Sequence, residues 1–117
     1  MSNNIILKNR TVEHSALPQN DDAKSSTDPF VFVIGADTQL GINSKNKEWD
    51  TELEFSLKAI NYINAMNPKP AFVTMCGDLV DMEVEMFQNS YGSREECIKV
   101  QQQQWDDYSA MWSKVDP

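Results

Sequence analysis

The apolar residues of this chain fall into two short continuous runs and two longer stripes with helical spacing. The first run, "PFVFVIGA" (29–36), is β-branched and aromatic with no polar alternation, the pattern of a strand buried on both faces of a parallel sheet. After the loop "DTQLGINSKNKE", Trp49, Leu53, Leu57, Ile60, Ile63 and Met66 recur every three or four residues, which predicts an amphipathic helix over 49–66 with one buried stripe. "NPKP" (67–70) stops it, because proline disfavours the α conformation in the residue before it. The second run, "AFVTMCGDLVD" (71–81), repeats the form of the first: apolar residues, a glycine, then an aspartate. Residues 82–92 read as irregular. "SREE" (93–96) fits a capping box, with Ser93 as N-cap and Glu96 reaching back, and opens a second helix whose stripe is Ile98, Trp105, Tyr108, Trp112 and Val115. The glutamines at 101–104 read as its solvated face.

Strand, helix, strand, helix in this order predicts an α/β fold, a parallel β-α-β-α unit with Val31, Val33, Ile34, Phe72, Val73 and Met75 in the sheet. Two strands seldom make an independently stable sheet. Parallel strands joined by a helix cross over right-handed, so both end on the same side. Asp37 follows the first strand and Asp78 the second, and their carboxylates can converge at the carboxyl edge, where open α/β sheets bind ligands. At a separation of about 4 Å and an effective dielectric of about 20, the repulsion between two such charges is about 4 kcal/mol. A divalent cation between them would turn that repulsion into attraction. Either aspartate alone also reads as a turn former or a helix N-cap.

The 117 residues, 40% hydrophobic and 24% charged, suit one small domain spanning 29–117, preceded by a polar segment, 1–28, that reads as a flexible, disordered tail. Eighteen acidic residues against 10 basic ones give a net charge of −8, which repels phosphate backbones and anionic lipid. Nucleic acid and membrane surfaces are therefore not expected as partners. The opening "MSNNIILKNRTVEH" lacks the apolar core of a signal peptide and no run is long enough to span a bilayer, so a cytoplasmic location is expected. Cys76 and Cys97 show neither C-x-x-C spacing nor the density of a disulfide scaffold; Cys76, inside an apolar run, reads as a buried, inert thiol.

"PFVFVIGADTQLG", a helix, and then "NPKPAFVTMCGDLVD", from about Pro29 to Asp81, resemble the first two motifs of the calcineurin-like metallophosphoesterases. The resemblance implies that 29–117 is part of such a domain, the amino-terminal part of its α/β sandwich. The implied activity is that of a metal-dependent phosphoesterase, a hydrolase of the serine/threonine protein phosphatase type in the full-length form, acting on a phosphoprotein substrate. Two divalent cations, Mn, Fe, Zn or Mg, are implied with it, Asp37 being a ligand of the first and Asp78 the carboxylate that bridges both. Gln39 stands where most of the superfamily has a histidine and would offer a neutral amide oxygen. Asp81 completes Gly-Asp-x-x-Asp as a turn residue or one that orients a ligand. The family's later motifs, Gly-Asn-His-Asp or Glu, a lone histidine and Gly-His-x-His, do not occur, and the sole histidine, His14, sits in the polar tail and reads as solvated. The chain is thus expected to be an amino-terminal fragment, inactive alone and without a catalytic residue of its own.

Two other classes compete with this reading. A strand-to-glycine turn can cradle a mononucleotide phosphate, but "GADTQLG" lacks G-x-G-x-x-G and no G-K-[ST] follows. A non-catalytic interaction module would use the C-terminal helix, with Trp105 and Trp112 presented to a partner.

Overall fold

The two apolar runs pair as parallel strands, β1 (Val33–Ala36) and β2 (Val73–Cys76), in a register that sets Val33 against Val73 and Ala36 against Cys76. The computed structural model describes residues 28–117. The polar segment 1–28, read as a flexible tail, lies outside the described residues except for Asp28, and so does His14. Val31 and Phe72 fall just before the strands but still join the ladder: the Ala71 N–H donates to the Val31 carbonyl at 2.7 Å and the Val33 N–H to that of Phe72 at 3.1 Å. Beyond the strands, Leu40 pairs again with Val80. A 3-10 turn at Ile42–Ser44 and helix α1 (Asp50–Asn64) separate β1 from β2. After β2 come a single-turn helix, α2 (Val84–Phe87), and the long α3 (Arg94–Trp112). The predicted β-α-β-α order holds, with α2 added inside the segment read as irregular.

The strands are not buried on both faces. Burial alternates along β1, with Val33 and Gly35 half-buried while Ile34 is 62% exposed. Side chains alternate across a strand, and α1 lies over the face that carries Gly35 and Met75, across a cleft also walled by Phe55 and Ala59. On the opposite face Phe30, Phe32, Ile34 and Phe72 are all exposed, Phe32 stacked on Phe72 with ring centroids 5.0 Å apart. Continuous apolar character signals two buried faces only if a second layer is present, and among the described residues there is none. Cys76 is exposed for the same reason, and Cys97 is the buried thiol.

The expected stripe is largely inward at α1, where Ile60 and Ile63 are buried together with Trp49 just before the helix, Leu53 is half-buried and Leu57 alone of its helical positions is exposed; Glu52 and Ser56 join the buried face, and Met66, beyond the helix, is half-buried. Glu52 can occupy a buried position because its carboxylate accepts the Asn43 N–H at 3.2 Å. In α3 the buried residues are Cys97 and Gln104, while Ile98 and Trp105 of the expected stripe are 48% and 40% exposed. The capping box forms as expected: the Glu96 N–H donates to Ser93 Oγ and the Ser93 N–H to the Glu96 carboxylate at 2.7 Å. Those bonds hold the Glu96 carboxyl below its ordinary range by favouring the charged form. The resulting support for α3 is present above the ordinary carboxylate range and is lost as pH falls through the lowered value.

Of the four glutamines, Gln102 and Gln103 are exposed as expected, while Gln101 and Gln104 face inward. Gln104 is fully buried; its Oε1 accepts the Met82 N–H at 3.0 Å and its Nε2 donates to Asn46 Oδ1 at 2.7 Å, while Gln101 donates to the Met82 carbonyl at 2.8 Å. Met82 in turn joins Val84 and Cys97 in an apolar cluster with Phe87 and Val100. At the other end of α3's contact with α1, the Trp49 indole donates to Asp107 at 2.8 Å. Hydrogen bonds, not the apolar stripe, therefore choose the face α3 turns inward.

Gly41 makes this closure possible. Its φ is 101°, and a Cβ there would collide with Gln104 Nε2 and lie 2.6 Å from Asn46 Oδ1. Gly41→Ala is expected to lower unfolding free energy by about 2–4 kcal/mol, combining left-handed strain with damage to buried hydrogen bonds. Gly77→Ala, where φ is 32° and a Cβ would meet nothing within 4 Å, should cost only the strain, about 1–2 kcal/mol. Urea unfolding of the two variants checks the difference.

Candidate metal centre

Just past each strand the backbone turns left-handed at matching places. Asp37 has φ 58° and Gln39 39° after β1; Gly77 has φ 32° and Asp78 53° after β2. Aspartate tolerates this region better than most residues, yet it is uncommon, and its clustering points to a local role. Cross-strand bonds lace the two turns together. The Asp37 N–H donates to the Gly77 carbonyl at 3.2 Å, the Gln39 N–H to that of Asp78 at 2.9 Å, and the Thr38 hydroxyl to that of Leu79 at 2.7 Å. Asp37 thus lies level with Gly77, one residue short of Asp78.

Asp37 and Asp78 are exposed and Gln39 is half-buried. Asp37 and Gln39 line one cleft of about 350 Å³ with Ile42, Asn43, Glu52 and Trp112; Asp78 is not on its wall. The backbone register brings all three residues to the carboxyl edge, but only two share a concavity. Their donors are all oxygens, a set suited to hard divalent cations. Among the described residues no three His, Cys, Asp or Glu side chains are placed to hold a metal ion. The Asp37 carboxylate and the Gln39 amide suit part of a coordination shell, with Asp78 outside their cleft.

Asp81 is not placed as a donor here. Its carboxylate accepts from Asn46 Nδ2 at 2.8 Å and its N–H donates to the Leu40 carbonyl at 3.0 Å, so it fastens the segment after β2 to the loop after β1. Residues that shape the site without standing out in sequence are Glu52, which holds the loop through Asn43, and Trp112, which closes the cleft rather than facing outward. The Gly41 and Asn46 positions in "GINSKN" were the available signal, since glycine and asparagine are the residues that most readily turn left-handed.

Among known proteins, the serine/threonine-protein phosphatase CPPED1 of Danio rerio is 34% identical over 85 residues, covering 65% of this chain and 27% of that protein. The CPPED1 of Mus musculus is 43% identical over 61 residues, covering 44% of this chain and 20% of that protein, and the CPPED1 of Homo sapiens is 38% identical over 61 residues, covering 44% and 19%. The chain is a homologue of these CPPED1 phosphatases. It spans about a quarter or less of the length of the curated CPPED1 relatives it matches. No family model matches the chain, and no solved structure matches it significantly. CPPED1 denotes a calcineurin-like phosphoesterase domain, a family that in general uses divalent metals. No helix among the described residues is long and apolar enough to cross a membrane.

The left-handed turn at Asp78 reverses the usual ranking of alanine over glycine. A non-glycine residue there costs about 1–2 kcal/mol, while glycine's extra freedom when unfolded costs about 0.5–1 kcal/mol. Asp78→Gly is expected to unfold at a urea concentration equal to or above that of Asp78→Ala. The opposite order would mean that the turn is not left-handed in solution.

Proposed function

We propose that this chain contributes the first two acidic motifs of a metal-dependent phosphoesterase, of the serine/threonine protein phosphatase type in the full-length form, with a phosphoprotein as substrate. The observation that carries the reading is the repetition of one device: Asp37 and Asp78, each in a left-handed turn after one of two paired parallel strands. The similarity to the serine/threonine-protein phosphatases CPPED1 supports it. In this reading Asp37 and Gln39 would hold the first divalent cation, and Asp78 would supply a carboxylate to the first and to a second. A bound cation would neutralise the two carboxylates and polarise a phosphate oxygen. The chain's own part is to fix those donors on a ladder of backbone hydrogen bonds and, through Trp112 and Phe55, to wall one side of the cleft. The net charge of −8 supports a partner other than nucleic acid or anionic membrane.

The same reading makes the 117-residue chain inactive alone. Its sole histidine is His14, so the chain by itself lacks the several imidazoles that the reading requires as ligands of a second metal and as a general acid. Loss of a general acid by itself costs about 10²–10⁴-fold in rate.

Calorimetric titration with Mn should show weak binding that Asp78→Asn abolishes; equal binding by the variant would remove Asp78 from the site. Hydrolysis of an aryl phosphate with Mn, Mg or Zn should stay at background. Metal-dependent turnover that Asp78→Asn eliminates would show that an associating chain completes the centre, and the inactive reading would be wrong.

A further inference from the structure

We propose that Glu52 supplies a further carboxylate charge to the cation of Asp37 and Gln39, acting across water rather than by direct contact. This rests on the phosphatase reading, in which that cleft is the first metal site. Glu52 belongs to neither acidic motif and stands in α1, between the two strands. It nevertheless lines the cleft of about 350 Å³ with Asp37, Gln39 and Asn43, which Asp78 does not.

Among the described residues Glu52 is the sole buried acidic side chain, 7% exposed, and burying a carboxylate is costly unless it is paired. Its compensation within the chain is partial. Its Oε1 accepts the Asn43 N–H at 3.2 Å, and the first turn of a helix favours an acidic residue. The ion pairs among the described residues lie elsewhere, at Lys58–Glu54, Lys69–Asp116 and Arg94–Glu85, all between exposed side chains. A positive charge is thus missing at the carboxylate that burial makes most dependent on one. The cleft can hold that charge: its lining includes two carboxylates and two side-chain amides, the donor types that hard divalent cations select. A Glu52 in direct contact beside Asp37 and Asp78 would make a group of three acidic ligands, and among the described residues no such group exists. Glu52 therefore stands behind the donors, where groups around a metal centre are worth about 10–100-fold in metal affinity.

The test uses the whole chain. Calorimetric titration should give Glu52→Gln an Mn affinity about 10–100-fold below that of the unaltered chain. Its urea midpoint without metal should be equal or higher, because an amide oxygen can still accept the Asn43 N–H while a buried charge is gone. A purely structural Glu52 requires unchanged Mn affinity in this variant, and that result would overturn the proposal. Terbium, a hard ion whose emission indole sensitises, locates the site: emission excited through tryptophan should weaken in Trp112→Phe, since Trp112 lines the cleft. Emission indifferent to that change would put the ion elsewhere and overturn the assignment. Independently of any variant, the carbon-13 resonance of the Glu52 carboxyl should shift when Mg is added; a stationary resonance would overturn it too. Mn affinity lowered by Glu52→Gln but not by Asp78→Asn would uphold Glu52 and count against the two-metal reading. The reverse pattern would overturn Glu52 and leave that reading standing, and absence of Mn binding by the unaltered chain would overturn both.

Discussion

The side chain and backbone of Asn46 tie together three of the segments around the candidate centre. Its N–H donates to the Gly41 carbonyl at 2.8 Å and its carbonyl accepts from Tyr91, while its amide donates to Asp81 and accepts from Gln104. The loop after β1, the segment after β2 and helix α3 thereby become one body. Such networks are all-or-nothing: fully satisfied, they rigidify; with one partner removed, the buried group left unpaired costs about 1–3 kcal/mol. Asn46 is 1% exposed and every one of its polar groups has a partner. Its own φ of 65° is tolerated in that setting.

That rigid frame is what permits the left-handed turns at Asp37, Gln39 and Asp78 to persist. Strained backbone survives only where neighbouring structure over-determines it. Here the cross-strand bonds from Asp37, Gln39 and Leu40 on one side, and from Asp81 on the other, supply the determination. The carboxylates stay exposed while the backbone that carries them is pinned. A pinned backbone beneath solvent-accessible acidic side chains is the arrangement that the proposed cation site would use.

The elements themselves were legible, and the reasons the rest was not are local. β1, β2, the two main helices and the Ser93–Glu96 capping box follow from residue pattern because each depends on near neighbours in sequence. The polar positions on the inward faces of the helices do not. Glu52 and Gln104 are polar, and a hydrophobic stripe assigns them to solvent; each is buried because a partner far along the chain, Asn43 or Met82 and Asn46, meets it. The pairing of the Asp37 and Asp78 turns could be read from topology, since two parallel strands must end together. The separation of Asp78 from the cleft of Asp37 and Gln39 could not, because it depends on the pairing register, which sets Asp37 level with Gly77 rather than with Asp78. Cys76 was misread for a simpler reason: an apolar run suggests two covered faces, and only one is covered here.

The uncovered face has a consequence for how the chain behaves in salt. Phe30, Phe32, Ile34 and Phe72 form an apolar surface on a two-stranded sheet, where each strand also keeps one unpaired edge. Attraction between two such faces is short-ranged and opposed by the repulsion of two chains that each carry −8. In dilute buffer the repulsion reaches about 30 Å at 0.01 M ionic strength, and at physiological strength it shrinks to about 8 Å. Raising the ionic strength therefore removes the charge barrier before it touches the apolar attraction. The same net negative charge opposes contact between two such aromatic faces, and it does so only while the solution leaves the charges unscreened.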